Sequence, residues 1–413
     1  MKDELTDVMI RLRLRCLLAA GLGSTFMLAC IIAYVMHSHN ENDVTPRPQQ
    51  RTDAGRLQQP QALVSHDAKS VDVRRPVKQT TSGDDYVHIA IACCLAGTNS
   101  DGQQLILTQT FLKSLLTFNP ASMHLHVFLS ANHSQPVIDM INAFLSIPSV
   151  NFLVNYYNAT MPDVSVVVRD GRIKVKTVKL SALFKPCSAQ RLFLPYALPQ
   201  LDRVLYMDTD TIVLGDVGKI WQDFARFSSV QLYGMSFIAK HRGFYDRRPY
   251  YQPYKGLTGH NAGVMLMHLQ RMRDINWQNL TLQIIANLSG SNWAYASDQD
   301  VLNYYNGLHE DHVFEMSCAH NWRWSLCRKY ENQSQECLDA ARDGITVIHG
   351  VSGTFFKSNV FVSKIYRIFS KFKMGESIYD GLVLPIQAAI DQHGSLTCGN
   401  VGDAFLKQIM KYV

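Results

Sequence analysis

Residues 87–94, VHIAIACC, are a run of small and apolar side chains apart from His88, and an apolar pattern at helical spacing follows at 104–118. A strand with no polar face is covered on both sides, which restricts the sheet to a mostly parallel one flanked by helices. The pattern repeats along the chain. Residues 124–129 read as a second strand and 136–145 as a second helix. Residues 204–207 (VLYM), 263–267 and 345–348 are further short apolar runs bounded by breakers. Residues 188–198 read as a helix with Ser188 as N-cap, limited by Pro195. Alternation of this kind predicts an α/β domain with a mostly parallel central sheet. Such sheets take ligands outside the carboxyl ends of their strands.

Composition removes several other classes. With 47% hydrophobic and 18% charged residues, the 413-residue chain is neither disordered, collagenous nor a coiled coil. Nine cysteines are too sparse for a small disulfide knot. The net charge of +6 comes without a dense Lys/Arg run, so a nucleic-acid partner is not expected. A mildly basic domain still suits an anionic small ligand.

The first 85 residues set an expected topology. Residues 16–36 (CLLAAGLGSTFMLACIIAYVM) carry no charge over 21 positions, long enough to cross a bilayer as one helix. Arg11, Arg13 and Arg15 precede the stretch, and no Lys or Arg follows until Arg47. The positive-inside rule then makes 1–15 a cytoplasmic tail and 16–36 a signal anchor, with the remainder lumenal. A cleaved signal peptide would have a shorter apolar core and an A-x-A site, neither of which is evident. Residues 37–85, polar and without apolar periodicity, read as a flexible stem. The domain then spans 86–413. Sequons at Asn132, Asn158, Asn279, Asn287 and Asn332 all lie beyond the span and are candidate N-glycan sites. Seven cysteines share that side: Cys93, Cys94, Cys187, Cys318, Cys327, Cys337 and Cys398. In an oxidising compartment most should pair and at least one should be left over. Cys318, Cys327 and Cys337, close together in a polar stretch, are the first candidates for disulfides. They lack the C-x-x-C pairs of a zinc module.

Candidate chemistry gathers where the apolar runs stop. Val204–Met207 leads straight into Asp208-Thr209-Asp210. In extended chain, residues i and i+2 point the same way, so the two carboxylates can converge on one hard cation. A solvated turn would show the same acids. His349-Gly350 closes the run 345–348. It reads either as a hydrogen-bonded structural residue or as a third ligand, and two carboxylates plus an imidazole suit manganese. Ser297-Asp298-Gln299-Asp300 resembles an N-capped helix start. Capping and dipole compensation explain its acids, but not Gln299.

Together these pieces resemble the family-eight retaining glycosyltransferases, the glycogenin-like group with the A-type nucleotide-sugar fold. The resemblance rests on LYMDTDTIVL at 205–214, NAGVMLM at 261–267, SDQDVLN at 297–303 and HG at 349–350, and extends over about 87–357. Within the family, LFKPCSAQRLFLP at 183–195 and PYYQPYKGLTGHNAGVMLMHLQRMR at 249–273 are similar to the glucoside xylosyltransferase branch. That branch adds xylose from UDP-xylose, in α-1,3 linkage, to O-linked glucose on EGF-like repeats such as those of Notch. A membrane-anchored enzyme of the endoplasmic reticulum or Golgi is implied.

The resemblance also implies roles. Asp208, Asp210 and His349 hold Mn²⁺, or Mg²⁺, on the UDP diphosphate, with Thr209 and Gly350 beside them. Arg191 faces the donor sugar, Asn261 and Ala262 contact it, and Asp298 bonds its hydroxyls. Gln299 faces the anomeric carbon and stabilises the forming cation by its carbonyl dipole. Ala92 and Cys93 hold the uridine. Many relatives follow HG with G-x-K-P-W; here the run is HGVSGTFFKSN, which makes Lys357 the equivalent phosphate-gripping lysine. His268 stands where that branch has Asn. The implied route is front-face transfer, because Gln299 is a poor nucleophile. Alternatives on the same fold are a xyloside xylosyltransferase and a glucosyl- or galactosyltransferase. An inactive lumenal lectin is the alternative outside enzymes.

Overall fold

The computed structural model describes residues 86–119, 123–148, 150–170, 174–184, 186–238, 259–288, 297–324, 340, 344–358, 360–393 and 401–413. All belong to one compact unit, Asp67–Val413. The expected tail, span and stem lie outside the described residues, as does the sequon at Asn332. No helix among the described residues is long and apolar enough to cross a membrane.

The central sheet has seven strands in the order β10-β8-β9-β6-β1-β2-β3. They are β1 (Val87–Cys93), β2 (Met123–Leu129), β3 (Leu153–Asn158), β6 (Val204–Met207), β8 (Tyr233–Phe237), β9 (His260–Met267) and β10 (Val313–Glu315). Only β9 runs against the others, pairing antiparallel with both β6 and β8. The remaining pairs are parallel, as the buried runs predict. Alternate residues feed two cores. Ile89, Ile91, Leu125, Val127, Leu205 and Met207 pack against helices α1 (Asp101–Phe118) and α2 (Gln135–Leu145). Ala90, Phe128, Val204 and Tyr206 pack against α3 (Pro186–Ala197), α4 (Trp277–Leu288) and α5 (Asp298–Leu308). A separate hairpin pairs β4 (Ser165–Asp170) with β5 (Lys174–Lys179).

A second, three-stranded sheet has the order β11 (Trp322–Arg323), β12 (Val347–His349), β7 (Thr211–Val213). A third core covers it, built largely by the C-terminal helices. In α6 (Phe361–Lys371), Phe361, Val362, Ile365, Tyr366 and Phe369 are buried, the spacing of one helical face.

Three sequence-predicted boundaries move. Helix α3 begins at Pro186, so Ser188 lies inside it and is not its N-cap; proline fits a first helical turn because its missing N–H has no intrahelical partner there. The helix also carries Pro195 without ending, and Arg273 donates to the carbonyls of Pro195 and Leu201 at 2.9 Å each. Strand β9 starts at His260, so the whole NAG motif sits within the sheet. His349 is the last residue of β12 rather than the first after it.

Cys94 is disulfide-bonded to Cys187. That bond ties the carboxyl end of β1 to the first turn of α3. Cys318 is disulfide-bonded too; among the described residues the free thiol is Cys93, buried beneath α1, while Cys327, Cys337 and Cys398 lie outside them. The Cys94–Cys187 bond closes a separation of 93 residues, a loop size for which removal costs about 4–5 kcal/mol in the chain-entropy model. Cys94→Ser/Cys187→Ser should therefore lower unfolding free energy by about that much in denaturant titration. A loss under about 1 kcal/mol would mean the packing of α3 already restrains the unfolded chain to the same degree.

Candidate active site

The acids sit where β6 leaves the sheet. The Asp208 backbone N–H donates to the Gly263 carbonyl at 2.8 Å, and Thr211 Oγ1 donates to the Asp208 carbonyl at 2.8 Å. The chain then enters β7, whose partner β12 places His349 opposite Thr211. The Gly350 N–H donates to the Asp210 carbonyl at 2.7 Å and closes that pairing. Strand pairing thus carries an imidazole from 139 residues away to the two carboxylates. His349 Nε2 lies 3.2 Å from Asp210 Oδ1 and 3.7 Å from Asp208 Oδ2. The three side chains offer ligand atoms all within 4.8 Å of one another.

The glycines of NAG and HG follow from close approach. A Cβ on Gly263 would collide with the His349 ring, and one on Gly350 with the Phe355 ring.

The His349 tautomer is set from behind. Its Nδ1 is 3.1 Å from Asn261 Oδ1 and 3.0 Å from Asn321 Oδ1. Facing two amide oxygens, Nδ1 carries the proton and donates, which leaves the Nε2 lone pair turned toward two carboxylates. A lone pair facing two anions calls for a cation between them, so the residues fit a hard divalent metal ion.

Arg191 connects this group to α5. Its Nη2 is 2.8 Å from Asp208 Oδ1, its Nε is 2.7 Å from Asp298 Oδ2, and its Nη1 donates to the Ala262 carbonyl. The guanidinium also lies 4.6 Å over the Tyr206 ring, and Tyr206 donates to Asp208 Oδ1 at 3.0 Å. Burial works against the charge on Arg191, but Asp208 and Asp298 prevail and raise its pKa. Asp298 is affected differently. Burial pushes its carboxyl up to about 6 despite the pull of Arg191.

The helix start at α5 divides its acids. Asp300 closes a capping box with Ser297, whose N–H donates to Asp300 Oδ2 at 2.7 Å. Asp298 is left for Arg191. Asn303 accepts from the His260 N–H at 2.6 Å and donates to the His260 carbonyl at 2.9 Å, fastening α5 to β9. Gln299 reaches β9. Its Oε1 accepts from Asn261 Nδ2 at 3.0 Å and from the Ala262 N–H at 3.2 Å. A backbone N–H can only donate, so this end of the amide is the oxygen, and it is engaged by β9.

Other predicted residues are placed less directly. Thr209 is buried and accepts from Gln104 Nε2 at 2.8 Å. Cys93 Sγ is 3.2 Å from Thr108 Oγ1, so its side chain faces α1 and only its backbone is left for a nucleoside. Ala92 is half-buried at the carboxyl end of β1, level with Phe128. Lys357 is exposed, and among the described residues none pairs its side chain with the acids. His268 accepts from the Arg271 N–H at 3.4 Å as an N-cap, work that Asn would also do. Sequence reasoning missed Asn321, which is fully buried and donates to Asn261 Oδ1 at 2.8 Å. Nothing in its surroundings, CAHNWRW, marks it out.

Comparison with known proteins finds relatives of the whole domain. Residues 84–354 match the model of glycosyl transferase family 8. Glucoside xylosyltransferase 1 of Gallus gallus is 28% identical over 351 residues, covering 81% of this chain and 74% of that protein. Glucoside xylosyltransferase 2 of Mus musculus is 29% identical over 347 residues, covering 79% and 71%. Among solved structures, the galactosyltransferase LgtC with donor and acceptor sugar analogues aligns at a TM-score of 0.50 and 15% identity, covering 71% of this chain and 99% of that one. The fold is the A-type glycosyltransferase fold, and the chain belongs to glycosyl transferase family 8.

Proposed function

We propose that the chain is a retaining xylosyltransferase, moving xylose from UDP-xylose in α-1,3 linkage to O-linked β-glucose on EGF-like repeats. The observation that carries a nucleotide-sugar transferase is the convergence of Asp208, Asp210 and His349 beside the Arg191–Asp298 pair at the strand ends. The donor sugar is supported by the names of the relatives. Asp208, Asp210 and His349 would hold Mn²⁺, which when bound neutralises charge developing on the departing diphosphate. Arg191 keeps Asp208 oriented and presents Asp298 to sugar hydroxyls. Asn261 and Asn321 hold the proton on His349 Nδ1, so Nε2 stays a ligand.

A front-face route to retention is supported by how the acids are engaged. Asp208 and Asp210 belong to the metal group, and Asp298 is pinned by Arg191. Among the described residues of the site, this leaves none as a side-chain nucleophile. The acceptor hydroxyl then attacks C1 from the side of the leaving group, the C1–O bond to UDP breaks, and the proton passes to the diphosphate. Three features support a membrane-anchored enzyme of the endoplasmic reticulum or Golgi lumen: the charge-free stretch at 16–36, the disulfide, and the exposure of Asn132, Asn158 and Asn279.

The test is a panel of UDP-sugars offered with Mn²⁺ and an O-glucosylated EGF repeat. UDP-xylose should exceed UDP-glucose by about 10- to 200-fold in kcat/KM, the worth of excluding one hydroxymethyl group from a closed pocket. Preference for UDP-glucose would overturn the donor assignment and leave the family untouched.

Gln299 tests the orienting chain that runs to the metal. Gln299→Ala strands the Ala262 N–H and loosens Asn261, which positions His349. Transfer should fall by about 10- to 100-fold, and the Mn²⁺ concentration needed for half-maximal activity should rise. An unchanged Mn²⁺ requirement would mean that Gln299 acts on the sugar instead.

A further inference from the structure

Three histidines meet near the amino ends of β1 and β2, away from the acids. The parallel register sets His88 beside His124. His126, two residues along β2, shares their face. Asp208 follows β6 at the level of Ala92, four residues up β1 from His88, which separates the two groups by about 13 Å along the strands. The His124 and His126 ring centroids are 4.3 Å apart, and His88 is 5.3 Å from each. One nitrogen from each ring falls within 4.8 Å of the others.

The hydrogen bonding around them is that of ligands. His126 is buried, and its Nδ1 is 3.0 Å from the Tyr157 hydroxyl. A proton on Nδ1 leaves the Nε2 lone pair facing inward, 3.1 Å from His88 Nδ1. Two imidazole nitrogens bound at 2.0–2.1 Å to one tetrahedral ion stand about 3.3 Å apart, so this separation needs little adjustment. His124 Nε2 is shielded from solvent and has no hydrogen-bond partner. An orphaned imidazole nitrogen beside a packed core is costly, and a cation would satisfy it. Burial pushes His126 down to about 2, with His124 and His88 adding to the effect, and lowers His124 as well. Metal binding requires the neutral form of the ring.

We propose that His88, His124 and His126 form a second metal site, which takes zinc or a similar late transition ion and clips β1 to β2. Three imidazoles suit zinc, whereas manganese and magnesium favour the carboxylates of the Asp208 group. The two sites therefore sort ions by chemistry, and their occupancies are separable. Tyr157 supports the site from behind by holding the His126 tautomer.

The full-length protein, stripped with chelator and dialysed, is offered Zn²⁺ alone. Zinc per chain is read by elemental analysis after gel filtration, and melting temperature is followed in parallel. Wild type and the Asp208→Asn/Asp210→Asn double variant should each retain one zinc at this site and melt higher with it. His124→Gln should lose that zinc and its thermal shift, yet keep Mn²⁺-dependent transfer, which shows an intact fold. His88→Gln repeats the test from the neighbouring strand. Tyr157→Phe should weaken zinc binding by about 10- to 100-fold. No retained zinc in wild type, undiminished zinc in folded His124→Gln and His88→Gln, or loss of all zinc in the Asp208→Asn/Asp210→Asn variant would each overturn the site.

Discussion

Asp210→Asn should cost at least about 10³-fold in transfer while leaving the melting temperature near that of wild type. The metal's stabilisation of a departing diphosphate is worth several kcal/mol, and each 1.36 kcal/mol is a factor of ten in rate. Asn keeps the shape and removes the charge. The fold has little to lose, because the Asp210 side chain is 28% exposed and the group it meets, at 3.2 Å, is the imidazole of His349, itself a candidate ligand. Relief of repulsion between neighbouring carboxylates offsets part of that loss. Chelator should reproduce the effect in wild type, and Mn²⁺ should reverse it there; the variant should need far more Mn²⁺. Full activity in chelator would remove the metal from the reaction, and a large drop in melting temperature would reassign the lost activity to unfolding.

Much of this site was legible because its strand ends have local signatures. Val204–Met207 reads as a buried strand without knowledge of its neighbours, and Asp208 and Asp210 follow from strand geometry alone. His349 is different. Its sequence context shows a strand end, but its arrival beside Asp210 depends on the β7–β12 pairing, a non-local contact. Arg191 was reached only through resemblance, since nothing in an amphipathic helix distinguishes a surface arginine from one buried between two acids. The Cys94–Cys187 bond was out of reach for a similar reason: connectivity among seven cysteines is a property of the packed chain. Gln299 shows a subtler limit. A motif can place a side chain at a site without saying which end of its amide faces outward, and here two donors on β9 take the oxygen. The histidine cluster is a case of register. His124 and His126 share a face by alternation, but His88 joins them only once β1 and β2 are paired.

Arg191→Met should destabilise the fold by about 3–5 kcal/mol and abolish transfer. Methionine fills similar volume, so lost packing is small and the cost comes from charge. Asp208 loses its 2.8 Å partner, and Asp298, only 10% exposed at its side chain, loses its 2.7 Å partner. A buried carboxylate without a counter-charge either ionises at a cost or takes up a proton. This predicts a pH signature. The Asp298 carboxyl stands at about 6 even with Arg191 in place, above the ordinary value near 3.9. A carboxyl raised on folding contributes stability in full below its unfolded pKa and loses it as pH rises through its folded one. Without Arg191 the folded value climbs further, so the deficit of Arg191→Met should be largest at pH 8 and shrink by pH 5 in metal-free denaturant titrations. Adding Asp298→Asn should recover a large share of the stability at pH 8, because the neutral amide needs no counter-charge, and should recover none of the transfer. A deficit independent of pH, or a double variant no more stable than Arg191→Met, would show that Arg191 holds the fold by packing alone and that Asp298 is not the group it neutralises.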